Sequence, residues 1–179
     1  MKKIILSFIA CVCITNMALA TAKPASVKAP VRGFWRTLDD KTGKPKSIIR
    51  LYDCGEELCG RIVALYNDDE EISETMLAPV KVAEKVKGKP KVAGLDVIWA
   101  MKWNGKEFSG GRIMDPQSGS VYSSVIWQDK EDVDFNQLKV RGKIGPFGRT
   151  QMWDAIFPNR LPAELRNIDV SKWEPVIVK

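Results

Sequence analysis

Residues 95–129, LDVIWAMKWNGKEFSGGRIMDPQSGSVYSSVIWQD, decide the fold class. They hold three runs rich in Val, Ile, Trp and Tyr, over 95–103, 107–115 and 120–129, separated by Asn104-Gly105 and by Asp115-Pro116-Gln117-Ser118-Gly119. β-branched and aromatic residues favour extended backbone, and Gly or Asn takes the positive φ of a tight reversal, so consecutive runs form antiparallel hairpins. In the first run Ile98, Ala100 and Lys102 alternate with Val97, Trp99, Met101 and Trp103, the period of a half-buried sheet.

The same texture extends in both directions. Runs at 33–37, 47–54, 58–66, 137–144 and 149–157 bring the total to eight, and Leu138 and Val140 alternate with Lys139 and Arg141. Asp39 to Pro45 and Gly145-Pro146-Phe147-Gly148 supply further turns. Eight antiparallel strands in one domain predict an all-β fold, a small up-and-down β-barrel, because closure removes the exposed edges of an open sheet. A two-sheet β-sandwich is the alternative.

The barrel domain is expected over 32–157, followed by a tail at 158–179 with a helical turn at 163–167 and Trp173 draped over the domain. Residues 67–92 interrupt the pattern. They open with Asp68-Asp69-Glu70-Glu71 and Glu74, then turn basic at Lys81, Lys85, Lys87, Lys89 and Lys91. Early acids and an Asp68 or Asp69 cap predict a short helix over 70–77, within a long loop that is a candidate lid or contact surface. The consecutive acids lack the alternate spacing and central Gly of a calcium loop.

Residues 1–20 are set apart as a secretory signal peptide. Lys2 and Lys3 precede an apolar run at 4–14, and Ala18-Leu19-Ala20 is a small-x-small cleavage pattern. The expected location is periplasmic or secreted, with cleavage after Ala20; lipidation at Cys11 or Cys13 is the alternative. The run is too short to span a bilayer, so no transmembrane segment is expected after cleavage. Residues 21–31 read as a flexible leader. Losing Lys2 and Lys3 lowers the net charge from +6 to +4, a mild excess that does not point to nucleic acid.

Composition narrows the chemistry. With 0 His there is no Ser-His or Cys-His pair and no His-ligated metal, and Ser123 and Ser124 have no base. Asp115, Asp154 and Glu107 show no spacing that would make a facing carboxylate pair. No catalytic residue, metal or cofactor is expected. Cys54 and Cys59 flank Gly55-Glu56-Glu57-Leu58 between two strand runs, which suits a hairpin disulfide in an oxidising compartment; two free thiols are the plain alternative.

The aromatic content points to binding. Trp35, Trp99, Trp103, Trp127 and Trp153 lie in strand runs, with Tyr52 and Tyr122 nearby, and their rings either fill a barrel or line a pocket in it. Arg112, Arg141 and Arg149 interrupt apolar strand sequence, where an arginine stacks on a ring or meets an anionic group. The candidate ligand-binding residues are Trp35, Tyr52, Trp99, Trp103, Tyr122, Trp127, Arg141, Arg149 and Trp153. The expected partner is a small hydrophobic or amphipathic ligand, or an envelope component (cell wall, anionic lipid or another envelope protein) met by the exterior.

Gly33-Phe34-Trp35, Thr42-Gly43-Lys44-Pro45, Leu58 to Val63, Gly110-Gly111-Arg112-Ile113-Met114-Asp115-Pro116 through Tyr122, and Leu138 to Gly142 with Gly148-Arg149-Thr150-Gln151-Met152-Trp153 together resemble the exported bacterial family known as domain of unknown function 2147. The resemblance covers about residues 33–154 and implies a periplasmic all-β protein, with no catalytic residues to carry over. Segment 67–92 departs most from the family pattern. A looser similarity to lipocalin-type barrels implies that Trp35, after Gly33, is covered by a late-strand arginine, Arg149 or Arg141.

Overall fold

The computed structural model describes residues 31–129, 131, 132, 134 and 136–178. The expected signal peptide and all but the last residue of the leader lie outside the described residues. Among the described residues nine strands form: β1 (Gly33–Leu38), β2 (Pro45–Cys54), β3 (Glu57–Tyr66), β4 (Ile72–Thr75), β5 (Asp96–Trp103), β6 (Phe108–Met114), β7 (Val121–Trp127), β8 (Gln137–Ile144) and β9 (Phe147–Ile156). Their order is β2-β1-β9-β8-β7-β6-β5-β3, with β3 also paired to β2, so eight antiparallel strands close into a barrel. A β1–β9 pairing excludes the sandwich: Phe34, Trp35 and Arg36 face Ile156, Ala155 and Asp154.

β4 is the extra strand, attached to the far end of β3, and it replaces the helix expected over 70–77. Asn67 decides this locally. Its side-chain oxygen accepts from the amides of Asp69 and Glu71, and its own amide donates to the Glu71 carbonyl, while Glu70 takes φ 65°. That is a tight hairpin, which turns the acids outward as loop residues and leaves Ile72 to Thr75 to pair with β3.

Register separates the two faces of the wall. Trp35, Ile49, Leu51, Leu58, Ile98, Met101, Phe108, Ile126, Leu138, Val140 and Trp153 point inward and form one buried cluster. The alternation expected along β5 fails at Ala100, whose φ of 57° marks a bulge. Ile98 and Met101 are therefore both interior, and Trp99 and Trp103 fall on opposite faces. Such bulges bend a strand and increase its twist, which a small closed barrel requires.

Phe34, Ile48, Val63 and Ala64 face outward and would be wet, but the chain after β9 covers them. Two 3₁₀ turns (Pro158–Arg160 and Val170–Lys172) and α1 (Ala163–Arg166) bring Leu161, Leu165, Ile168 and Trp173 onto this outer wall. Beside them Arg61 donates to Asp96 at 2.6 and 3.1 Å and to the Glu174 carbonyl at 2.5 Å, and Tyr52 donates to Asp96 at 2.9 Å. The guanidinium lies 4.5 Å from the Trp173 ring centroid. Burial, with the adjacent Asp96 carboxylate, pushes the Tyr52 hydroxyl well above its ordinary value.

Cys54 and Cys59 form a disulfide across the β2–β3 turn. Closing so short a loop contributes about 2 kcal/mol. The double variant C54S/C59S should melt about 4–8 °C lower by calorimetry; an unchanged melting temperature refutes the staple role.

Because the folded Tyr52 resists ionisation, its contribution is intact below the unfolded tyrosine pKa of about 10 and fades as pH climbs toward the higher folded value. Urea titrations from pH 9 upward should therefore show a steeper alkaline loss of stability for the native chain than for Tyr52→Phe. Parallel slopes would contradict the assignment.

Candidate functional site

The barrel has one apolar end and one polar end. At the apolar end Val31 is fully buried and its carbonyl accepts from Trp35 Nε1 at 2.8 Å. Val31, the last residue of what composition alone reads as leader, is thus part of the packed domain. Arg32 binds both Asp53 oxygens at 2.6 Å and lies 5.9 Å from the Phe108 ring centroid. At the other, more polar end Thr37, Ser47, Tyr122, Ser124 and Gln151 face inward beside Leu65 and Ile113. Thr37 and Ser47 share a 2.7 Å hydrogen bond, Gln151 reaches Asp40 at 2.8 Å, and Arg149 pairs with Asp40 at 3.1 Å.

These positions redistribute the residues expected to converge on a ligand. Trp35 and Trp153 point inward but are 2% and 1% exposed, with Trp153 Nε1 donating to Gln151, so both are core. Trp103 packs on Phe108 at the apolar end, with ring centroids 5.1 Å apart. Tyr122 faces inward near the polar mouth, beside Ile113 and Gly142. Tyr52 is corrected to the outer wall, sealed under the tail: two-residue alternation from Leu51 sets it there. Trp127 and Arg141 also lie on the outward face, by their register with Lys139 and Val125. Neither late-strand arginine covers Trp35, since Arg149 is held at the opposite end by Asp40.

Trp99 is a sequence candidate that lies in a concave site. It stands on the outer wall in register with Arg112, next to the Met114–Val121 pair. The segment after β4 folds back over this wall. Glu74 accepts from the amides of Val80 and Lys81, Val82 bridges to Lys91, and Ala83, Val86 and Val92 are buried. The tail closes another side, because Asp96 exchanges two hydrogen bonds with Val176 at 2.7 and 3.0 Å, placing Val178 at the rim.

The result is a recess of about 400 Å³ lined by Trp99, Met114, Val86, Val121 and Val178 with Lys85, Lys87 and Arg112. Arg112 donates to Ser123 Oγ at 2.7 Å, and among the described residues none of the three cations pairs with a carboxylate. An apolar floor with unneutralised cations suits a molecule that is greasy along its length and negative at one end.

Arg112 and the basic half of 67–92 were visible in sequence as charges without a stated partner. Their union with Trp99 and Val178 was not, because it depends on the Ala100 bulge and on the fold-back of a long connection.

A bacterial family described as "Uncharacterized protein conserved in bacteria (DUF2147)" matches residues 33–155. The chain belongs to this family. No curated protein matches it. Among solved structures this DUF2147 chain is similar to HP1028 from the human pathogen Helicobacter pylori, a protein described as belonging to the lipocalin family, with TM-score 0.55 and 15% identity over 70% of this chain and 82% of that one. The likeness establishes a lipocalin-like fold, in agreement with the closed eight-strand barrel.

Gly119 holds the roof of the recess close to the wall. It has φ 72°, and a Cβ there would lie 2.5 Å from the Lys85 carbonyl oxygen. Gly119→Ala should lower stability by about 1–2 kcal/mol and accelerate amide hydrogen exchange across residues 83–89. Unchanged exchange in that segment would show that this contact does not hold the roof.

Proposed function

We propose that this protein is a non-catalytic, exported carrier that binds a small amphipathic anion, such as a fatty-acid-like carboxylate, in the recess beneath the fold-back segment. The recess carries the reading: its floor offers Trp99, Met114 and Val121, while Lys85, Lys87 and Arg112 stand at its edge and make no ion pair among the described residues. The barrel core beside it is filled by Trp35, Phe108, Ile126 and Trp153, each 0–2% exposed. A disulfide in the first long hairpin supports an oxidising compartment, and the lipocalin-like fold supports small-molecule binding. Among the described residues no helix is long and apolar enough to cross a membrane.

Titration with a fluorescent fatty-acid analogue, followed through tryptophan emission, tests this. Binding should saturate, and Trp99→Ala and Arg112→Gln should each weaken it roughly tenfold, the equivalent of about 1.4 kcal/mol. An analogue with an uncharged alcohol head should bind less well. Absence of saturable binding overturns the proposal. Binding insensitive to both variants yet abolished by Ser124→Leu would move the ligand into the barrel mouth.

A further inference from the structure

At the polar end β9 runs on well past β1, and the β8–β9 pairing continues one residue pair beyond the β7–β8 pairing. Pairing of β7 with β8 reaches only to Ser123 and Lys143, and β1 holds β9 only at residues 154–156, while β8 and β9 stay paired out to Ile144 and Phe147. The overhang carries these two residues directly opposite each other, 64% and 80% exposed. The Gly145-Pro146 reversal does not require them: Gly145 takes the positive φ and Pro146 fixes its own.

Charge follows the same hairpin. Residues 137–151 contain Lys139, Arg141, Lys143 and Arg149 and no Asp or Glu. Lys139 pairs with Asp129 and Arg149 with Asp40, whereas Arg141 and Lys143 make no ion pair among the described residues. A Cβ at Gly148 would lie 2.6 Å from Arg141 Nε and 2.8 Å from Lys143 Cγ, so the glycine lets both cationic side chains lie across the strand just behind the apolar tip.

We infer that this overhang docks the barrel on an anionic lipid bilayer, with Phe147 and Ile144 entering the headgroup boundary and Arg141 and Lys143 meeting lipid phosphates. A two-strand convex tip is too small to bury the ~800 Å² per partner of a stable protein interface. A bilayer asks for less: an apolar wedge, plus cations that each add about fivefold in partitioning at an anionic surface.

Vesicle flotation tests the inference, using phosphatidylcholine alone and phosphatidylcholine with one-third phosphatidylglycerol, at low and high salt. The protein should float with the anionic vesicles at least tenfold better than with the neutral ones, and less so at high salt. Phe147→Ser should reduce partitioning roughly tenfold and R141Q/K143Q roughly 25-fold. Both variants should keep the native melting temperature and the fatty-acid titration, which separates this inference from the recess reading. It is overturned by no flotation, by equal flotation with neutral vesicles, by flotation unchanged in both variants, or by a concentration-dependent dimer that Phe147→Ser dissolves in the absence of lipid.

Discussion

Three residue pairs between β1 and β9 turn a ribbon of eight strands into a closed wall, and most of the remaining architecture follows from where those pairs sit. They lie at one end of β9, flanked outside by the Arg36–Asp154 ion pair at 2.9 Å. At that end the inward side chains meet from all sides, and Trp35, Trp153 and Phe108 fill the space with Val31 as a plug. At the other end β9 has no β1 partner. A hydrogen bond from Gln151 and an ion pair from Arg149 to Asp40 bridge the gap there, polar side chains enter the inward positions, and the β8–β9 hairpin extends beyond β1.

Closure also sets a problem on the outside. A barrel of this size buries one face of each strand, yet β1, β2 and β3 carry apolar residues on both. The chain resolves it by returning after β9 to cover Phe34, Ile48 and Val63. Arg61 and Asp96 fix the return. Their ion pair is almost completely buried, with side-chain exposures of 7% and 0%, and remaining hydrogen-bond capacity goes to Tyr52, the Glu174 carbonyl and the Val176 amide. Desolvating two charges is tolerable only when such partners are supplied, so the outer latch and the tail's path are specified together.

The eight barrel strands were legible because each depends on local information: β-branched and aromatic runs bounded by residues that reverse the chain. The disulfide was legible for the same reason, as six residues of one hairpin contain it. What sequence missed is non-local. The acids of 68–71 suit a helix start, but Asn67 captures the backbone first and β3 offers an edge to pair with. A regular two-residue period places Trp99 beside Trp103; the left-handed Ala100 puts one outside and the other in. Tyr52 reads as one more barrel aromatic until its partners prove to come from β5 and the tail. The recess unites Lys85, Trp99, Arg112 and Val178, which no spacing along the chain connects.

The distribution of unpaired charge argues that function lies on the wall and rim of the barrel, away from its core. Inside, the buried aromatic nitrogens are satisfied, by the Val31 carbonyl for Trp35 and by Gln151 for Trp153. Outside, most cations near an acid have found it: Arg32 with Asp53, Arg36 with Asp154, Arg61 with Asp96, Lys139 with Asp129. Among the described residues Arg112, Lys85 and Lys87 at the recess and Arg141 and Lys143 at the overhang make no ion pair, and each group stands near apolar side chains. A chain selected only for solubility has no reason to join those two features twice, because apolar surface beside unneutralised charge contributes nothing to folding. Both places favour the same chemistry, a hydrocarbon body joined to a negative head, presented singly at the recess and as a bilayer surface at the tip.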